Sequence, residues 1–187
     1  MSIEENQKNL NLAFKGLKEM PEKVTKQHGP VVEMLDVSNN KISDFRFLSN
    51  FPNLHTLVVD HNGLQSHVKF PTSEGIQTLW ANHNKIANLS VFIETITKSF
   101  PELRFLSLMN NPAAPSYFNG GTLQQYMDYR YFVISHFPKL EFLDDQPVTK
   151  EQREEAIRIY GLHNTGPDKK ANKAKRKSSK PKLQEST

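Results

Sequence analysis

Apolar positions recur along this chain in an eleven-residue phrase, not in one helical or strand period. In the clearest copy, Leu54-His55-Thr56-Leu57-Val58-Val59-Asp60-His61-Asn62-Gly63-Leu64, apolar side chains fill places one, four, six and eleven, and Asn fills place nine. Val32, Leu35, Val37, Asn40 and Ile42 spell the phrase one unit earlier, and Ile76, Leu79, Ala81, Asn84 and Ile86 one unit later. Asn40, Asn62 and Asn84 stand 22 residues apart, and Asn111 continues the series after Leu103, Leu106 and Leu108. A unit repeating at roughly 20–29 residues buries no core alone, so neighbouring units must stack. Places four and six then point inward from a short strand. The place-nine Asn sits where the chain leaves that strand, and its amide serves backbone groups of adjacent turns. The fold class this predicts is α/β: a curved solenoid of about five units, with parallel strands on the concave side and 3₁₀ or helical returns on the convex side.

The units differ in ways that predict their returns. In the first, Leu10, Leu12 and Leu17 keep the pattern but Lys15 replaces the Asn, as suits an N-terminal capping unit over residues 1–30. Leu17-Lys18-Glu19-Met20-Pro21 continues into a short convex turn, and Gln27-His28-Gly29-Pro30 then breaks the chain before the second unit. The central units span 31–113. Ile42, Phe45, Leu48 and Phe51 recur every third residue before Pro52, which predicts a 3₁₀ return. His67 and Ser73 interrupt the equivalent places of the next unit, predicting an irregular return. Leu89, Phe92, Ile93, Ile96 and Phe100 then predict an amphipathic helix, with Ser90 at its N-cap. A terminal cap over 114–163 starts in a loop marked by Pro112, Pro115, Gly120 and Gly121. Thr122-Leu123-Gln124-Gln125 and Thr149-Lys150-Glu151-Gln152 are capping boxes that open two helices, the second ending near Gly161. The first shows Tyr126, Tyr129, Val133 and Phe137 on one face, and Leu140-Glu141-Phe142-Leu143 forms a last strand between them.

Composition narrows the function. The 187 residues contain no cysteine, which excludes disulfides, thiolate metal sites, palmitoylation and prenylation. No apolar run reaches the roughly 18 residues of a transmembrane segment, and the polar first residues are unlike a secretory signal. The expected location is intracellular, cytoplasmic or nuclear. The net charge of +4 conceals a division: residues 168–187 carry eight Lys or Arg against Asp168 and Glu185, and the remainder carries 16 basic and 18 acidic side chains. Residues 164–187 lack aromatics and read as a disordered basic tail beside a domain over 1–163. Lys169, Lys170, Lys173, Lys175, Arg176 and Lys177 suit a nuclear import signal or a contact with nucleic acid or acidic membrane. Phosphate on Ser178 and Ser179 would cancel part of that charge.

Side chains alternate along a strand, so places three, five and seven face the concave side. There Val58, Trp80, Phe105 and Met109 form an apolar patch with Phe142 beside it and Asp36, Asp60 and Asp144 at its edges. Nothing in the fold requires a solvent-facing Trp, and exposed aromatics mark protein-binding surfaces. The aspartates suit basic groups on that partner. His61 and His83 share place eight in adjacent units and should lie about 5 Å apart, close enough for a metal pair or a pH-sensitive spot; with no acidic or thiolate cage beyond Asp60, no metal site is expected. No nucleophile motif, phosphate-cradling glycine motif or HExxH is apparent, so neither catalysis nor a cofactor is expected. The chain reads as a monomeric adaptor with a protein partner on its concave face.

The phrase L-x-x-L-x-L-x-x-N-x-L resembles the leucine-rich repeat. The cap resembles that of the spliceosomal U2 A′ protein and its relatives, through Tyr129-Arg130-Tyr131-Phe132-Val133-Ile134, Phe137-Pro138-Lys139-Leu140-Glu141-Phe142-Leu143-Asp144, and Val148-Thr149 with Glu151-Gln152-Arg153-Glu154-Glu155-Ala156. The resemblance covers about residues 32–160 and implies a non-enzymatic protein-binding role. It also supplies an alternative reading, a nuclear ribonucleoprotein scaffold.

Overall fold

The computed structural model describes residues 8–116 and 119–161, so the tail from residue 164 onward lies outside the described residues. Six short strands run in chain order: β1 (Asn9–Asn11), β2 (Met34–Asp36), β3 (Thr56–Val58), β4 (Thr78–Trp80), β5 (Phe105–Ser107) and β6 (Phe142–Leu143). Each pairs parallel to the next, and the place-four leucines Leu10, Leu35, Leu57, Leu79, Leu106 and Leu143 lie in one register row. A seventh strand, β7 (Gln146–Pro147), folds back antiparallel on β6 and ends the sheet. The arrangement is an α/β solenoid, and one core runs the length of the row.

The returns follow their sequences. A 3₁₀ turn spans Arg46–Asn50. The third return has no helix, only turns, coil and a single bridge from Gln65 to Lys85, yet buries Val68 and Phe70. Phe70 fills the missing helix's place by packing against Phe45 and Phe100, with ring centroids 4.8 and 5.2 Å away. The fourth return is the helix α2 (Leu89–Ser99), burying Phe92, Ile93 and Ile96.

Two local expectations change. A helix, α1 (Glu22–His28), stands where a convex turn was expected. Only Thr25 of this helix is buried, so no apolar stripe announces it. Its end requires glycine: a Cβ on Gly29 would meet the carbonyl oxygens of Asn50 at 2.2 Å and Thr25 at 2.5 Å. The N-cap of α2 is Asn88 rather than Ser90. The Asn88 Oδ1 accepts from the Val91 N–H at 3.2 Å and from the Ser90 hydroxyl at 2.9 Å. The planar amide reaches the free N–H of the first turn, and Ser90 supports it.

The asparagines knit the turns together. Asn84 Nδ2 donates to the carbonyls of Val59, Ala81 and Asn82 at 3.0–3.1 Å, and its Oδ1 accepts from the Asn62 and Leu64 N–H groups at 3.0 Å. Asn62 donates to Val37, Val59 and Asp60 and accepts from Ile42. Asn40 reaches back to Leu12, Lys15 and Leu17, so the first unit, which lacks its own Asn, borrows one. Asn111 closes the series on Ala81, Leu108 and Ile86.

Beyond β5 the cap comprises α3 (Leu123–His136), the β6–β7 hairpin and α4 (Lys150–Tyr160). Thr122 with Gln125 and Thr149 with Gln152 form full capping boxes at the two helix starts. Arg130 of α3 is wholly buried. Its guanidinium donates to the Leu143 carbonyl at 3.0 Å, the Pro147 carbonyl at 3.1 Å and Gln152 Oε1 at 3.0 Å, and its Cζ lies 5.7 Å from the Tyr126 ring centre. One side chain therefore ties both helices to the hairpin.

A concave apolar hollow

The strand row fixes where each concave side chain stands. Trp80 ends β4 and is 48% exposed, and Met109 and Phe142 are each 39% exposed. Phe105 and Phe142 are paired across β5 and β6, and their rings stack with centroids 5.4 Å apart and planes 14° apart. Trp80, Phe105, Met109 and Phe142, with Asn82 and Asp144 beside them, line an open hollow of about 220 Å³. An exposed indole beside a stacked aromatic pair offers apolar area at low entropic cost, because these rings have little rotamer freedom.

Other residues expected on this surface have different tasks. Val58, paired with Asp36 on one side and Trp80 on the other, is only 5% exposed. It is floor, not contact surface. Asp36 turns its Oδ1 onto the Ser38 N–H at 2.8 Å. Asp60 accepts from the Asn82 N–H at 2.7 Å and from Asn82 Nδ2 at 3.3 Å. The Ser107 hydroxyl donates to Asn82 Oδ1 at 2.7 Å, so Asp60, Asn82 and Ser107 form one fixed polar chain along the hollow's flank. Asn82 and Ser107 are buried contributors that place-by-place reading treats as ordinary concave positions.

Asp144 differs most from its expected role at the patch edge. It adopts φ 58°, turning the chain from β6 toward β7. In the interior, the N–H of the place-six residue donates to the next strand's last carbonyl, as Val59 does to Trp80 and Ala81 to Ser107. Leu108 has no such strand carbonyl before it. Its N–H donates instead to Asp144 Oδ1 at 2.8 Å, while the Tyr129 hydroxyl donates to Asp144 Oδ2 at 3.0 Å. Burial pushes the Asp144 carboxyl above its usual pKa, against the lowering effect of these hydrogen bonds. Burial, reinforced by the Asp144 charge, holds the Tyr129 phenol well above its own. Both oxygens of Asp144 are thus committed to the fold. The signal for this was Asp immediately after the last strand phrase, a turn-forming residue in a turn.

His61 and His83 stack with centroids 4.1 Å apart and planes 11° apart. His83 Nε2 lies 3.0 Å from Asn110 Nδ2. Face-to-face rings do not converge on one ion, and no cluster of three or more metal-binding side chains occurs among the described residues. Among those residues no helix is long and apolar enough to cross a membrane.

No protein-family model matches the chain. It is 35% identical over 128 residues to the Homo sapiens leucine-rich melanocyte differentiation-associated protein, covering 66% of this chain and 65% of that one. It is 27% identical over 137 residues to the U2 small nuclear ribonucleoprotein A′ of Candida albicans, covering 70% of this chain and 52% of that one. The chain therefore spans less than two thirds of either relative. A chain in the crystal structure of the Drosophila melanogaster SNF/U2A′ complex shares the fold, with TM-score 0.59 at 17% identity over 90% of this chain and 87% of that one. The repeat register, the asparagine row and these likenesses agree on the fold: the chain is a leucine-rich repeat solenoid of the kind seen in that complex.

Proposed function

We propose that this chain is a non-catalytic adaptor that holds a segment of a protein partner against its concave strands. The observation that carries the reading is the half-exposed Trp80 beside the stacked Phe105–Phe142 pair, which together open an apolar hollow on the concave row. Trp80 and Phe142 supply the anchor, Met109 adapts to its shape, and the Asp60–Asn82–Ser107 chain gives a rigid polar rim. The crystal structure named for the SNF/U2A′ complex supports the reading, because a chain of this fold there assembles with another protein. Affinity purification of wild type beside Trp80→Ala tests it. The variant is expected to lose the partners recovered by wild type and to keep its melting temperature within a few degrees. Recovery of the same partners would overturn the assignment of the hollow.

The similarity to U2 small nuclear ribonucleoprotein A′ favours a second reading, a nuclear ribonucleoprotein scaffold. In it, the basic residues Lys169, Lys170, Lys173, Lys175, Arg176 and Lys177 serve nuclear entry or RNA assembly. Deleting 168–187 separates the two: loss of nuclear signal or of co-purifying RNA supports the scaffold, and unchanged partner recovery supports the adaptor.

A further inference from the structure

The turns after the strands form a second organised surface, along the rim where the asparagine row lies. Phe14, Asn39, His61, His83 and Asn110 hold place eight of successive units, and all five have φ between 53° and 59°. Their backbones are laced together: the Phe14 N–H donates to the Ser38 carbonyl, Asn39 to Asp60, His61 to Asn82 and His83 to Met109. The side chains therefore form one column. Phe14 is 77% exposed, and His61, His83 and Asn110 are also exposed.

Lysines flank this column. Lys15 follows Phe14 and is held by its N–H to Asn40 Oδ1, and the Lys41 and Lys85 N–H groups donate to the carbonyls of Leu17 and Leu64. With Lys18, these four are exposed and none forms an ion pair with a described residue. Asp36 and Asp60 are turned onto the N–H groups of Ser38 and Asn82, Asp44 near Lys41 is paired with Arg46, and Glu19 offsets part of the Lys18 charge.

We propose that this rim is a contact surface for single-stranded nucleic acid, with Lys15, Lys18, Lys41 and Lys85 meeting phosphates and the His61–His83 stack and Phe14 serving as platforms for bases. Flat rings and amides interleaved with unpaired cations suit a strand that carries both phosphates and π-faces. An acidic peptide would use the lysines and leave the rings idle. None of these rim residues lines the concave hollow, so the proposal stands whether or not the adaptor reading does.

The test is fluorescence anisotropy of a labelled 12-nucleotide oligo(U) with the full chain across a KCl series. Lys41→Glu with Lys85→Glu is expected to weaken binding at least tenfold, and to flatten the salt dependence by about 0.7 in log K per log salt for each phosphate no longer neutralised. His61→Asn with His83→Asn removes the rings while keeping a residue that already holds the same backbone conformation at Asn39 and Asn110. That pair is expected to lower affinity several-fold with the salt slope unchanged. Binding unaltered by both pairs, and abolished by deleting 168–187, would place the interaction in the tail and overturn the proposal. Competition by polyglutamate as effective as by unlabelled oligo(U) would overturn it in favour of an acidic protein segment.

Discussion

The interior repeats and the terminal cap meet the same demand by different chemistry. Every turn leaves buried carbonyls that need donors and buried N–H groups that need acceptors. In the interior, neutral amides supply both: Asn84 alone makes five such bonds, to its own turn and to the one before. In the cap the task is divided between ions. Arg130 supplies donors to Leu143 and Pro147, and Asp144 supplies the acceptor for Leu108. An amide can pass its pattern to the next unit, because it both gives and takes. A guanidinium only gives, and a carboxylate when ionised only takes, so neither propagates a row. A repeat continues where its turn residue is self-complementary and stops where that residue is split in two.

Substitutions can break this contrast at either end. The largest loss is expected for Arg130→Ala, about 3–5 kcal/mol in urea unfolding, because two carbonyls lose donors and a large buried volume empties. A loss below about 1 kcal/mol would show that water replaces the guanidinium and that the cap does not depend on it. Asn84→Ala is expected to cost roughly 2–3 kcal/mol and Asn111→Ala less, since Asn111 makes three bonds where Asn84 makes five. Equal losses would mean that the row does not share load between turns.

Asp144→Asn sharpens the contrast through pH. Burial holds the folded pKa of Asp144 above its unfolded value. Its contribution to stability is therefore fully present below the unfolded pKa, and is lost as pH rises through the folded one. Surface carboxylates such as Glu33 and Asp44 are shifted down and act in the opposite sense, but they are common to both proteins. The difference in urea midpoint, variant minus wild type, should therefore grow in the variant's favour as pH rises above the unfolded aspartate value of about 4. A flat difference would mean that Asp144 stays as wet as those surface groups. The smallest change is expected for Trp80→Ala, within about 1 kcal/mol, because half of the indole is already in water.

The parts legible in the sequence are those written by periodicity. Places four, six and nine recur, and Leu35, Leu57, Leu79 and their asparagines stand where the spacing puts them. The 3₁₀ return and the long helix are equally visible through Phe45, Leu48, Phe92 and Ile96. What escapes has no period. The α1 helix buries a single threonine, and its determinants are the Gly29 contact with Asn50 and the Pro21 start. Arg130 lies in a helix whose apolar face is spread thinly, and an arginine there reads as solvent-facing until the hairpin closes over it. Val58 alternates outward as the strand period requires, yet its neighbours cover it. The candidate hollow is legible in Trp80, Phe105, Met109 and Phe142 because they share strand places. The tasks of the aspartates are not, because alternation gives a side chain's direction but not which amide it meets there.

The proline at the far end of the strand row has a consequence for assembly. A parallel row of short strands is a template that another chain can extend, since an outermost strand normally offers both amides and carbonyls. Here the outermost strand is two residues long, runs against the others, and ends in Pro147, which has no amide hydrogen to give. Its carbonyl is already taken by Arg130. A molecule built by repetition thus finishes in a blunt margin, and copies of it have no stepping stone there from which to grow into a fibre.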